Sequence, residues 1–94
     1  MSEESKTAEK KMHKTQFTVL GIISQLGGKM VPGPEVEKLA AKKEISMNSC
    51  RGAMYKLTES KHLMWVPEEI NARQTIDHFT LTPLGKQCLK KGND

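Results

Sequence analysis

The chain predicts a mainly helical α+β domain with a three-helix core, a β-hairpin and a short C-terminal helix. Two observations carry this. Helical stretches at 34–44 and 47–60 are separated only by the tight turn Glu44-Ile45-Ser46. Directly after them, extended apolar stretches at 63–66 and 76–81 flank a polar segment, and the second runs into Thr82-Pro83, a helix start. Helix, turn, helix, hairpin, helix is the wiring of a winged helix-turn-helix, which presents one exposed helix and one hairpin tip to a nucleic-acid duplex.

Taken in order, residues 1–14 hold only Met1, Ala8 and Met12 as apolar side chains and read as a polar N-terminal arm that is not part of the folded unit. The domain is expected over 15–91, with 92–94 frayed. The first helix is expected to start near Thr15 as its cap and to stop at Gly27-Gly28. Phe17, Leu20, Ile23 and Leu26 recur at helical spacing and give it an apolar face. Lys29-Met30-Val31 can add a short strand to the hairpin's edge. Pro34 suits the first position of the second helix, and Val36, Leu39 and Ala40 turn inward. Ser46 is the expected cap of the third helix.

On that third helix, 100° per residue puts Met47, Cys50, Met54 and Leu57 on a core face. The opposite face is centred on Gly52, flanked by Asn48, Tyr55, Lys56 and Glu59, with Ser49 and Arg51 at its margins. Glycine there costs about 1 kcal/mol of helix stability relative to alanine, so either something approaches the backbone closely or the residue is incidental. Asn48 can pair with adenine and Arg51 with guanine, each through two hydrogen bonds. Ser49 lies in the first turn, where recognition helices meet bases or phosphates, and Tyr55 and Lys56 suit phosphates. Between the two strands, 67–75 is expected to be a long polar tip, with Arg73 its one base and the candidate phosphate or minor-groove contact. Glu68 and Glu69 oppose that role, because paired acids repel phosphate. They favour either a side of the wing turned away from DNA or a protein partner. In the last helix Leu84 and Leu89 are expected to pack on the core, with Cys88 beside them.

Composition narrows the alternatives. The net charge of +4 concentrates on 34–62, where six bases meet four acids, a weak sign of a phosphate-facing surface that a solvated helix face would also give. No apolar run is long enough to span a membrane and none near the N-terminus suits a signal peptide, so a cytoplasmic protein with free Cys50 and Cys88 is expected. No phosphate loop, nucleophile motif or zinc spacing is present, so no enzyme, catalytic residue, cofactor or metal is expected. Cys50 with His62 or His78 could form a thiol–imidazole pair, but Cys50 falls on the core face. Few aromatic side chains argue against an RNA platform.

The residues Tyr55-Lys56-Leu57-Thr58-Glu59-Ser60-Lys61-His62-Leu63, followed by Phe79-Thr80-Leu81-Thr82-Pro83-Leu84-Gly85-Lys86, resemble the MarR-like and PadR-like winged-helix regulators. Those families end the recognition helix with a Leu–acid–Lys–Gly–Leu type of segment and close the wing with Leu-Thr, a variable pair and Gly. The resemblance covers about 15–91 and implies a dimeric, operator-binding transcription regulator. The implied contacts are Asn48, Ser49, Arg51, Tyr55 and Lys56, plus Arg73 in the wing. His62 stands where those families carry glycine, and a non-glycine residue there must tolerate or avoid the left-handed turn. The partners expected are therefore double-stranded DNA and a second copy of the chain. The alternative is a protein-interaction module of the same shape that reads little or no DNA.

Overall fold

The computed structural model describes residues 12–92. Their elements are α1 (Lys14–Gln25), β1 (Val31–Pro32), α2 (Gly33–Lys42), α3 (Met47–Glu59), β2 (Leu63–Asn71), β3 (Gln74–Leu81) and α4 (Pro83–Lys91). The three strands form one antiparallel sheet in the order β1-β3-β2. The domain is thus α+β and mainly helical. Among the described residues no helix is long and apolar enough to cross a membrane. Residues 1–11 of the expected arm lie outside the described part.

His13, not Thr15, caps α1: its Nδ1 accepts the Thr15 backbone N–H at 3.2 Å, so Thr15 already lies inside the helix. Val19, Leu20, Ile22 and Ile23 are buried, and α1 packs chiefly along α3. The helix stops where Gly27 (φ 108°) and Gly28 (φ 71°) enter conformations that glycine adopts without steric cost. Gly28 N–H returns to Ile23 O at 2.9 Å, and Gly28 O accepts Leu81 N–H at 2.8 Å, tying the turn to β3.

Helix α2 starts one residue before Pro34 and ends at Lys42, short of the expected Glu44. The reason is local: Glu44 adopts φ 62°, and Ile45 N–H folds back onto Ala40 O at 3.0 Å. Ser46 Oγ then accepts Ser49 N–H at 3.1 Å and starts α3 as the sequence predicts. The packed stripe of α3 is Cys50, Ala53, Met54 and Leu57, an i, i+3, i+4, i+7 pattern that begins at Cys50. Met47 lies one turn earlier and is 53% exposed, so it is not part of the core.

The largest departure is the hairpin. Residues 67–71 and 74–75, expected to be loop, continue the two strands, with Glu68 opposite Ile76 and Glu69 opposite Thr75. Only Ala72 and Arg73 make the turn, which Asn71 Oδ1 secures by accepting Arg73 N–H at 2.9 Å. Pro67 and two consecutive acids hide the period-two pattern in the sequence. Phe79 and Leu81 share the buried face, as expected, with Leu63 opposite Leu81.

At α4, Thr82 Oγ1 caps by accepting Gly85 N–H at 3.1 Å. Gly85, Cys88 and Leu89 face inward at helical spacing, which turns Leu84 outward to 44% exposure against expectation. The left-handed residue after α3 is Lys61 (φ 69°), so His62 carries no such strain.

Both cysteines are free. Burial pushes the Cys50 thiol up to about 11, with Glu37 adding to the rise and Arg51 opposing it. Burial also raises Cys88, opposed by Lys91, but that side chain is only half-buried. At pH 8 a thiol reagent is expected to modify Cys88 in the native protein and to reach Cys50 only at the rate of unfolding. Mass spectrometry of the labelled peptides checks this, and equal native rates at the two sites would contradict the packing.

Candidate nucleic-acid interface

The caps and core contacts of α3 fix which of its faces is free. With Cys50, Ala53, Met54 and Leu57 buried, helical geometry turns Asn48, Ser49, Arg51, Gly52, Tyr55 and Lys56 to solvent, and all six are exposed. Tyr55 is 65% exposed. A β-carbon built on Gly52 meets no atom within 4 Å, so the fold places no demand for glycine there. The seventh expected residue, Arg73, occupies the hairpin turn, on a different element from the other six, and is also exposed.

One of the six is not free. Arg51 Nε donates to Glu37 Oε2 at 2.8 Å, joining α3 to α2. Their side chains are 60% and 16% exposed respectively. This hydrogen bond, and then the carboxylate charge, raise the guanidinium's pKa above its ordinary value. Glu37 was not among the sequence candidates. Its partner lies 14 positions away on another helix, and no spacing rule links them.

Beside this face runs an open groove of about 660 Å³ between α3 and the hairpin. Arg51, Met54 and Tyr55 line one wall and Trp65, Asp77 and Phe79 the other, with Pro34 and Glu37 at the end formed by α2. Trp65 lies directly opposite Phe79 in the sheet register and is 53% exposed. The sequence shows Trp65 as a strand residue but not that it faces α3.

Strand alternation separates the two acids of the hairpin. Glu68 shares the face of Met64 and Val66, opposite the Trp65 face, and its Oε1 lies 3.5 Å from His78 Nε2. His78 Nδ1 is buried and has no hydrogen-bond partner among the described residues. Glu68 is therefore turned from the groove, while Glu69 follows the Trp65 side. Among the described residues no group of three His, Cys, Asp or Glu side chains could hold a metal ion.

No protein-family model matches the chain, and no curated protein matches it. Among solved structures it is similar to BpsR of Bordetella bronchiseptica, whose DNA binding is regulated by 6-hydroxynicotinic acid. The two superpose with a TM-score of 0.70 at 26% sequence identity, over 86% of this chain and 56% of that one. The chain thus spans little more than half the length of that regulator.

Proposed function

We propose that this is a winged helix-turn-helix domain, of the MarR-like or PadR-like kind, that binds double-stranded DNA in a sequence-specific way as part of a transcriptional regulator without enzymatic activity. In this reading α3 enters the major groove, Asn48 and Arg51 meet base edges, and Ser49, Tyr55 and Lys56 meet bases or phosphates. The hairpin is the wing, with Arg73 at its tip on the backbone or in the minor groove. One module covers a single half-site, so two copies bind together.

The observation that carries this reading is the free face of α3. It presents six exposed residues and an unobstructed backbone at Gly52, on the second helix of a helix-turn-helix. The likeness to a DNA-binding regulator supports it.

The test is a titration against random-sequence duplexes at two salt concentrations, followed by selection of preferred sequences. Expected are salt-sensitive binding and an enriched, roughly palindromic motif. Asn48→Ala is expected to weaken binding to that motif about tenfold, the loss of one paired base contact, and to relax one position of it. Salt-sensitive binding without any motif would mean a nonspecific role.

A protein-binding module is the second reading. Met64, Trp65 and Ile70 on β2 are each at least half exposed, next to two acids. Absence of duplex binding at low salt would favour it.

A further inference from the structure

We infer that Glu37 is a positioning residue for base recognition: by holding Arg51 through Nε, it aims the arginine's two terminal nitrogens outward as a rigid guanine-reading fork. This rests on the reading of α3 as the DNA-contacting helix and adds a residue of α2 to the machinery of specificity.

The geometry carries the argument. A guanidinium has five N–H donors, one on Nε and four on the terminal nitrogens. The Glu37 bond uses the Nε donor. Among the described residues the terminal nitrogens have no partner, and those are groups that can meet guanine O6 and N7 as a pair. Exposure separates this from two simpler readings. A latch that hid Arg51 from DNA would cover it, yet its side chain is 60% exposed. A bridge serving stability alone would gain little, because its Arg51 end is open to solvent, which screens the pair, and ordering that long side chain costs entropy.

The partners are unequal in the way a brace requires. Glu37 is only 16% exposed and sits on a helix packed against α3, so its carboxylate is the fixed end. Arg51 is the long, rotamer-rich end. Fixing it before DNA arrives removes much of the ordering cost that an unbraced arginine would meet on binding. Glu37 also brings a negative charge towards the phosphates, which weakens binding to every sequence alike. A brace therefore opposes general affinity while supporting base preference, and the two effects separate by experiment.

The experiment measures Kd for the selected duplex, for the same duplex changed at each position in turn, and for random duplex. It uses the full chain and Glu37→Gln, Glu37→Ala, Arg51→Ala and the Arg51→Ala/Glu37→Ala double variant, with melting curves to verify folding. Arg51→Ala is expected to abolish the preference for guanine at one position. Glu37→Ala, which keeps the arginine, is expected to reduce that same preference about tenfold while random-duplex affinity stays level or rises. Glu37→Gln should keep most of the preference, since the amide oxygen still accepts from Nε. The double variant should discriminate no worse than Arg51→Ala alone.

Preference unchanged in Glu37→Ala, with affinity raised uniformly, would overturn the brace and leave Glu37 as a plain repulsive charge. Preference unchanged in Arg51→Ala would overturn it differently, by showing that Arg51 reads no base. No duplex binding by the unmodified chain would overturn the functional reading itself, and the brace with it.

Discussion

Replacing Gly85 with alanine is expected to destabilise the domain by about 3 kcal/mol, with a fall in Tm on the order of 15 °C. Helix propensity alone points the other way, since alanine improves on glycine inside a helix by about 1 kcal/mol. Sterics decides the sign. A β-carbon at Gly85 would be driven into the backbone carbonyl oxygen of His62, with that residue's carbonyl carbon at 3.3 Å and a Leu81 methyl at 3.0 Å. The carbonyl cannot simply move aside. His62 O accepts Thr82 N–H at 3.2 Å, and Lys61 O accepts the Thr82 hydroxyl at 2.6 Å. Relief requires α4 to lift off the end of α3, which breaks this clasp and uncovers Leu81 and Leu89. Urea titration of the variant checks the size, and equal or greater stability would show that the close approach is not maintained in solution.

The same clasp shows what the sequence does and does not reveal. The helix start at Thr82-Pro83 stands out in Leu-Thr-Pro-Leu-Gly, because capping is written within three or four residues, whereas the demand for glycine at Gly85 comes from His62 O across the fold. Ser46 and the Gly27-Gly28 stop are legible for the same reason. The stripe from Cys50 to Leu57 is legible because α3 is amphipathic. Where the reading slips, a tertiary contact sets the outcome. Leu84 reads as a core residue in the sequence, but Gly85, pressed against His62 O, fixes the rotation of α4 and turns it outward. The glycine-like position assigned to His62 falls instead on Lys61, because one residue of register in a turn is invisible to spacing. Hairpin length was hidden by Pro67 and the two acids, although Ile70, Thr75 and Ile76 carry strand propensity.

For the interface, the sequence separates the faces of α3 but not the partners of its residues. Asn48, Ser49, Tyr55 and Lys56 fall where helical geometry puts them. Arg51 has a second role, through Glu37, that only packing of α2 on α3 creates. The groove between Tyr55 and Trp65 likewise needs the hairpin's angle to α3, a quantity with no local signature.

Gly52 gives the sharpest separation of fold from function, because the two should respond in opposite directions. The β-carbon of Gly52→Ala enters open space on a helical backbone, so the variant is expected to gain about 1 kcal/mol and to melt roughly 4–8 °C higher. If α3 lies in the major groove with its backbone close to the duplex at Gly52, that methyl group stands where DNA must come. Affinity for the selected duplex is then expected to fall about tenfold for Gly52→Ala. For Gly52→Leu, which displaces the flanking Asn48 and Lys56 from their contacts as well, the expected fall is about 100-fold, the equivalent of two lost base contacts. Melting curves and duplex titrations on the same samples make the comparison. A more stable protein that binds DNA less well would locate the close approach at Gly52. Gains in stability with undiminished binding would mean that the glycine is incidental and that DNA, if bound, meets another face.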